Sequence, residues 1–295
     1  MPPANLVYFG SPDFSAAILE AVSKDQVVRV VGVVTSPDKP RGRKQVLTPS
    51  PVSQLATKYD LPVFKPEKLN DANLAHLALL KPDIFLVVSY GKIIPSSYLT
   101  TPTVGTFNLH FSLLPKYRGA LPISEAIKNG DQETGVTLMQ MDEQLDHGPI
   151  ISQEKVSIDI NDNCETLTNK LTQAAGKLLT DYLPPLAAAS FSTIPQKESR
   201  ATHTPSITTR TRQNAFVDWA KISAALDRVD AVAVHNLIRS ENPDPGAWTK
   251  IDNRQLKIIT TALISNQLLI ESVQLPGKSV VSWRQFVSGH PQWRS

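Results

Sequence analysis

Three polar residues sit where apolar patterns end. In "FNLHFSLLPKYRGALP" (107–122), Asn108 and His110 close an apolar run two positions apart. On a β-strand that spacing puts both side chains on one face. Asp146 follows in "MDEQLDHGPI" (141–150), just after the next strand pattern. An Asn, a His and an Asp that meet suit attack by an amine on an activated carbonyl. The amide can donate to a developing oxyanion, the imidazole can move the proton, and the carboxylate can hold and charge the imidazole. The residues alone leave a second reading equally open, with His110 a hydrogen-bonded core histidine and Asn108 a strand cap.

The elements around these residues decide whether they meet. "NLVYFG" (5–10), "VVRVVGVVTS" (27–36), "DIFLVVSYG" (83–91), "VGTFNLH" (104–110) and "TGVTLMQM" (134–141) are short, strongly apolar runs. Such runs predict strands buried on both faces. Helical patterns alternate with them in "FSAAILEAVSK", "SPVSQLATKY", "ANLAHLALL" and "PISEAIKNG". This α/β alternation predicts a Rossmann-like, doubly wound, mostly parallel sheet, whose ligand crevice lies beyond the strand C-termini. The turn "FGSPDF" carries Gly10 but none of the further glycines that bring a pyrophosphate against the backbone, so NAD is not expected. No His/Asp spacing suggests a metal. In the turn after His110, Pro115 and Gly119 set the bend while Leu113 and Leu114 anchor it. "SYG" (Ser89, Tyr90, Gly91) ends a neighbouring strand, as a ligand wall or as an ordinary turn.

Apolar residues at helical spacing from Glu165 to Leu183 predict a helix that closes this first domain, 1–186. Residues 187–207 hold several prolines and little periodicity, and read as a linker that a truncation near Pro195 could pass through. The tail, 208–295, has a helical stretch and evenly spaced short strands, expected as a smaller OB-like β-barrel. The net charge of +3 divides unevenly: 17 Lys/Arg against 19 Asp/Glu up to residue 186, and 13 against 8 beyond it. The tail's +5 suits a nucleic-acid-binding module or a solvated basic surface. "PDKPRGRKQ", with Arg41, Arg43 and Lys44, is a second basic segment open to the same two readings.

With 41% hydrophobic and 19% charged residues the chain is globular in composition. One cysteine, Cys164, excludes an internal disulfide framework. No apolar run has membrane-spanning length, and the chain opens on a strand pattern. No signal or transit peptide is expected, and the expected setting is the cytoplasm.

"NLHFSLLPKYRGALPI" resembles the N-x-H-x-SLLP-x-(Y/W)RG signature of the folate-dependent formyltransferases. "LDHGPI" is similar to that family's LDTG, "VVSYGKIIP" to its VVAYG-x-I(L)P, and "YFGSPDFSAAIL" to its FFGTPDF opening. "TSPDKPRGRKQVLTPSPV", "VDWAK", "HNLIRSENPDPGAWT" and "LKI" resemble the basic loop and C-terminal domain of members that act on initiator methionyl-tRNA. The resemblance implies Asn108, His110 and Asp146 as catalytic residues. It implies Ser89, Tyr90, Gly91, Ser112, Leu113, Leu114 and Pro115 at the folate, and Arg41, Arg43 and Lys44 at the tRNA. The implied donor is 10-formyltetrahydrofolate, the acceptor initiator methionyl-tRNA, and the state a monomer without metal. Glycinamide ribonucleotide and sugar-amine formyltransferases share the first domain, and a non-catalytic RNA-binding homologue is a further alternative. Phe111, His147 and Asp244 depart from the family pattern, but none removes a catalytic group.

Overall fold

A computed structural model of the chain describes residues 2–42, 44–251, 254–290 and 293. In chain order it begins with β1 (Ala4–Gly10), α1 (Asp13–Ser23), β2 (Val28–Val34), β3 (Lys39–Arg41), β4 (Val46–Thr48), α2 (Pro51–Lys58) and β5 (Val63–Phe64). Then follow α3 (Asp71–Ala78), β6 (Ile84–Val88), α4 (Ser96–Leu99), β7 (Gly105–His110), α5 (Pro122–Lys128), β8 (Glu133–Gln140), β9 (Ile150–Ser157) and α6 (Cys164–Ala187). The remainder holds α7 (Trp219–Leu226), α8 (Ala231–Glu241), β10 (Trp248–Ile251), β11 (Arg254–Ile264), β12 (Gln267–Gln274), β13 (Val281–Ser282) and α9 (Trp283–Gly289).

The apolar runs do what their composition requires. Every residue of β6 and β7 is buried, and the seven strands order as β5-β2-β1-β6-β7-β8-β9. The pairings of β1 with β2 and β6, β2 with β5, and β6 with β7 are parallel, while β7 with β8 is antiparallel. This is the doubly wound, mostly parallel sheet that the β/α alternation predicts. Strand order reverses at β1, between β2 and β6, and β7 stands one strand further on. The C-terminal ends of β6 and β7 therefore open next to the switch point, where such sheets hold ligands.

Two local features differ from expectation. The basic segment after β2 is a hairpin, with Lys39 opposite Thr48 and Arg41 opposite Val46. The closing helix runs past Leu183 through Pro184 and Pro185 to Ala187. Each proline forgoes its own helical hydrogen bond, yet the turn is kept, with Ala188 N reaching Pro184 O at 3.1 Å.

Contacts divide the chain into two units, one holding the chain up to Arg118 with 135–156 and 169–203, the other 119–134, 157–168 and the chain from Thr204. The boundaries expected from the sequence are 1–186, 187–207 and 208–295. Residues 187–203 belong to the first unit and are not a free linker. Ile194 and Ile150 exchange two backbone hydrogen bonds of 2.8 Å each, and Arg118 N donates to Thr202 O at 2.8 Å. No helical or strand periodicity marks this stretch because hydrogen bonds to loops hold it, not a buried face.

The second unit is built on an antiparallel sheet of order β10-β11-β12-β13. Its core gathers Ile222, Val234, Ile238, Leu256, Ile258, Leu268 and Phe286. Residues 119–134 and 157–168 join it through buried polar groups of α8. Arg239 Nη1 donates to Asp162 O at 2.8 Å, and Arg239 Nη2 to Ile127 O at 3.5 Å. Among the described residues no helix is long and apolar enough to cross a membrane.

His235 is 1% exposed, its ring held between Thr261 Oγ1 at 2.8 Å and Ile160 O at 2.7 Å. Burial pushes its pKa below the ordinary value of 6.5, with Arg239 adding to the depression while the Ile160 carbonyl and Glu271 oppose it. The unfolded chain therefore binds this proton more readily, so His235 contributes stability that is full above about pH 6.5 and falls as pH drops below it. Glu241 acts in the opposite sense at lower pH, because burial raises its pKa above 4.5. Thermal melts of the wild type and a His235→Gln variant separate the two effects. The wild type should lose more melting temperature between pH 7 and about pH 5 than the variant does.

Candidate active site

The three polar residues meet. Asn108 and His110 lie on one face of β7, 9% and 5% exposed. Cross-strand pairing sets them opposite Met139 and Thr137 of β8. Asp146 comes to them from the loop between β8 and β9. Asn108 Nδ2 donates to Asp146 Oδ1 at 3.3 Å, and His110 Nδ1 lies 3.5 Å from Asp146 Oδ2. The other ring nitrogen, Nε2, faces the Tyr117 carbonyl oxygen at 2.9 Å. A neutral imidazole has one N–H and can donate to one of these oxygens, whereas an imidazolium donates to both. The trio thus presents an amide donor, a proton carrier and a carboxylate within one contact network.

The backbone is bent to make this possible. Asp146 has φ +50° and Tyr117 φ +60°, left-handed values that cost a non-glycine residue about 1–3 kcal/mol each. Hydrogen bonds hold both loops. Asp146 O and Gly148 O each accept from Gln196 Nε2 at 2.8 Å, and Tyr117 N donates to Thr202 Oγ1 at 2.8 Å. Arg118, 4% exposed, donates from Nη1 and Nη2 to the Glu198 carboxylate at 3.0 and 2.6 Å, and from Nε and Nη2 to Gln196 Oε1 at 3.1 and 2.9 Å. These hydrogen bonds hold the Glu198 carboxyl below its usual range. Sequence reasoning passed over Gln196, Glu198 and Thr202 entirely. The one available signal was the basic pair Lys116 and Arg118 flanking Tyr117 in the turn.

The other expected site residues are placed as follows. Val87 of β6 stands opposite Asn108, so the chain leaves β6 at Ser89–Gly91 level with His110. Ser89 and Gly91 are exposed and left-handed, at φ +50° and +80°, and nothing lies within 4 Å of where a Gly91 Cβ would stand. Tyr90 turns inward against Phe9, and its buried hydroxyl has no hydrogen-bond partner. Burial, with a smaller contribution from Tyr98, pushes its pKa up to about 12. This leaves open main chain beside the trio, a surface on which a flat heterocycle can hydrogen-bond.

Ser112 to Pro115 do internal work. Ser112 Oγ donates to Lys116 O at 2.5 Å, Leu114 N to Thr137 Oγ1 at 3.1 Å, and Gln153 Nε2 to Leu114 O at 2.9 Å. Leu113 leans on Gly135 of β8. Phe111 turns away from the trio to meet Phe14 edge-on at 4.9 Å. His147 Nδ1 lies 2.5 Å from Asp142 Oδ2, and its Nε2 3.4 Å from Glu198 Oε1. The carbonyl oxygen of Asp244 accepts from Arg210. In the hairpin Lys44 is exposed and Gly42 turns at φ +70°, while Arg43 lies outside the described residues. Among the described residues no cluster of His, Cys, Asp or Glu can hold a metal.

A sheet with an Asn–His–Asp network one strand from its switch point defines a class, and comparison with known proteins names it. The Formyl transferase family model matches residues 4–183, and that of the Formyl transferase C-terminal domain matches 211–268. The chain belongs to the formyl transferase family. Within it, the chain is 39% identical over 265 residues to the methionyl-tRNA formyltransferase of Staphylococcus epidermidis, covering 90% of this chain and 81% of that one. It is likewise 39% identical over 267 residues to the methionyl-tRNA formyltransferase of Staphylococcus aureus, covering 90% and 82%. Two solved structures share the fold. The N-formyltransferase from Helicobacter canadensis, in complex with folinic acid and dTDP-3-aminofucose, aligns with TM-score 0.65 and 21% identity over 95% of this chain and 98% of that one. A 4-N formyltransferase from Francisella tularensis aligns with TM-score 0.66 and 18% identity over 87% and 96%.

Gly148 tests how tightly the Asp146 loop is seated. A Cβ there would overlap the Gln140 carbonyl oxygen, and backbone cannot yield as a side-chain tip can. Gly148→Ala should therefore destabilise the protein by about 1–3 kcal/mol, read as a lower denaturation midpoint at unchanged slope.

Proposed function

We propose that the chain transfers the formyl group of 10-formyltetrahydrofolate to the α-amino group of initiator methionyl-tRNA. The observation that carries this reading is the convergence of Asn108, His110 and Asp146, at 3.3 and 3.5 Å, beside the open main chain of Ser89–Gly91. The 39% identity to methionyl-tRNA formyltransferases over 90% of the chain supports the choice of acceptor over a sugar amine.

The chemistry follows from the groups. The amine lone pair attacks the formyl carbon, a C–N bond forms, and the carbonyl electrons move onto oxygen. Asn108 Nδ2 and the His110 ring donate to that oxyanion. Such donors act strongly here because both side chains are buried and already oriented. Asp146 holds the His110 ring and balances its charge. Protonated His110 gives a proton to the folate nitrogen and takes the ammonium proton in its place, the oxyanion electrons re-form the carbonyl, and the bond from the formyl carbon to the folate nitrogen breaks. The folate ring system would lie against Ser89, Tyr90 and Gly91, with Leu113 and Pro115 as an apolar wall. Ser112 and Leu114 shape that wall from behind.

The acceptor end of the tRNA would meet the basic segment PDKPRGRKQ, through Arg41, Arg43 and Lys44, with the basic tail, 208–295, binding the body of the tRNA. Lys39 adds to the hairpin's positive field and helps depress the pKa of Lys92, after burial. This reading carries a cytoplasmic setting and a monomer.

A single-turnover assay with 10-formyltetrahydrofolate and methionyl-tRNA tests the proposal; formylation of a nucleotide-linked amino sugar in place of methionyl-tRNA would overturn it. In the same assay His110→Ala should lose ~10²–10⁴-fold in rate while folding and tRNA affinity stay near the wild type. Binding measured against salt tests the hairpin. The double variant Arg41→Ala, Lys44→Ala should flatten the log–log slope by about one unit for each phosphate the hairpin no longer neutralises. Equal slopes would remove the hairpin from the tRNA interface.

A further inference from the structure

We infer that residues 194–202 form a positioning arm for the catalytic trio, with Gln196 setting Asp146 on one side of His110 and Thr202 setting the Tyr117 carbonyl on the other. The inference rests on the formyl-transfer reading for its kinetic test, though not for its geometry.

The arm is anchored first. Ile194 exchanges two backbone hydrogen bonds with Ile150, at the start of β9. Two residues on, the Gln196 amide is used on both sides. Its nitrogen donates to Asp146 O and Gly148 O, both at 2.8 Å, and its oxygen accepts from Arg118 Nε and Nη2 at 3.1 and 2.9 Å. The guanidinium has only donors, so the amide oxygen must face Arg118 and the NH₂ must face the two carbonyls. Glu198 completes the guanidinium's partners. The arm then crosses the Tyr117 loop. Thr202 N donates to Pro115 O at 3.1 Å, Thr202 O accepts from Arg118 N at 2.8 Å, and Thr202 Oγ1 accepts from Tyr117 N at 2.8 Å.

His110 has two ring nitrogens, and the oxygen facing each belongs to a loop that this one segment holds. Asp146 faces Nδ1, and the Tyr117 carbonyl faces Nε2. Both loop residues adopt left-handed backbone, which does not persist without outside support. None of the arm's side chains touches the trio's reacting groups, so Gln196 and Thr202 are positioning residues.

The full chain carrying Gln196→Glu keeps an acceptor for Arg118 but loses both donors to the Asp146 loop. Gln196→Met removes the donors without adding charge, and Thr202→Val removes the hydroxyl that holds Tyr117. Each is compared with wild type for kcat, for KM toward donor and methionyl-tRNA, and for melting temperature. The His110 ring is followed by nitrogen NMR against pH. Both Gln196 variants should lose ~10²-fold in kcat, the scale of a slight misplacement, with KM little changed; the melting temperature should hold in Gln196→Glu, which keeps the Arg118 acceptor, and fall in Gln196→Met, which does not. The His110 resonances and their titration should move in all three variants. In an Asp146→Asn background Gln196→Glu should cost nothing further, because its effect runs through that carboxylate.

A loss carried by KM or by unfolding in both Gln196 variants and Thr202→Val overturns the inference, as does an unchanged His110 signal. If the wild type fails to formylate methionyl-tRNA, the functional reading fails alone, and the His110 resonances still decide whether the arm positions the ring.

Discussion

Arg118 carries a charge that the fold has taken out of water. A buried guanidinium must find acceptors, and its five N–H groups cannot be silenced by losing a proton. Here the acceptors are Gln196 Oε1 and the Glu198 carboxylate, 78 and 80 residues further along the chain. Meeting that requirement brings residues 194–202 across the loops at Tyr117 and Asp146. Those loops, in turn, supply the oxygens on either side of His110. The charge on Arg118 is thus satisfied by the same contacts that seat the site.

The remainder of the first unit supplies rigidity. Asn108 and His110 stand on a strand buried along its whole length, paired on both sides, so their directions are set by the sheet. Asp146 has no strand beneath it and depends on hydrogen bonds to its own main chain. The trio therefore combines two side chains positioned by burial with one positioned by polar contacts. The second kind is the more easily disturbed, since a missing donor removes part of what holds a bent loop.

Much of this was legible in the residues. The valine-rich runs marked parallel strands because burial on both faces leaves no room for alternation. The two-residue spacing of Asn108 and His110 put them on one face, and the position of Asp146 after β8 put it within reach of the same crevice. What escaped reading has a common cause. The stretch from Ser190 to His203 contains no buried apolar stripe, and its order comes from Gln196, Glu198 and Thr202 meeting partners remote in sequence. Periodicity reports the faces of helices and strands and is silent about such pairings. Pro184 and Pro185 misled for a different reason, since proline ordinarily stops a helix and here α6 runs through both to Ala187. A cut near Pro195 would accordingly do more than remove a tail, because it would strip Arg118 of Gln196 and Glu198.

The separation of 50 positions from Asp146 to Gln196 also sets an order of events during synthesis. A ribosome makes Asn108, His110 and Asp146, then every strand of the first sheet, before it reaches the side chain that holds the Asp146 loop. A nascent chain at that stage has the reacting groups and the sheet, but lacks the contacts that align them. On the positioning role inferred above, competence would follow only once the segment through Thr202 has cleared the exit tunnel and folded back.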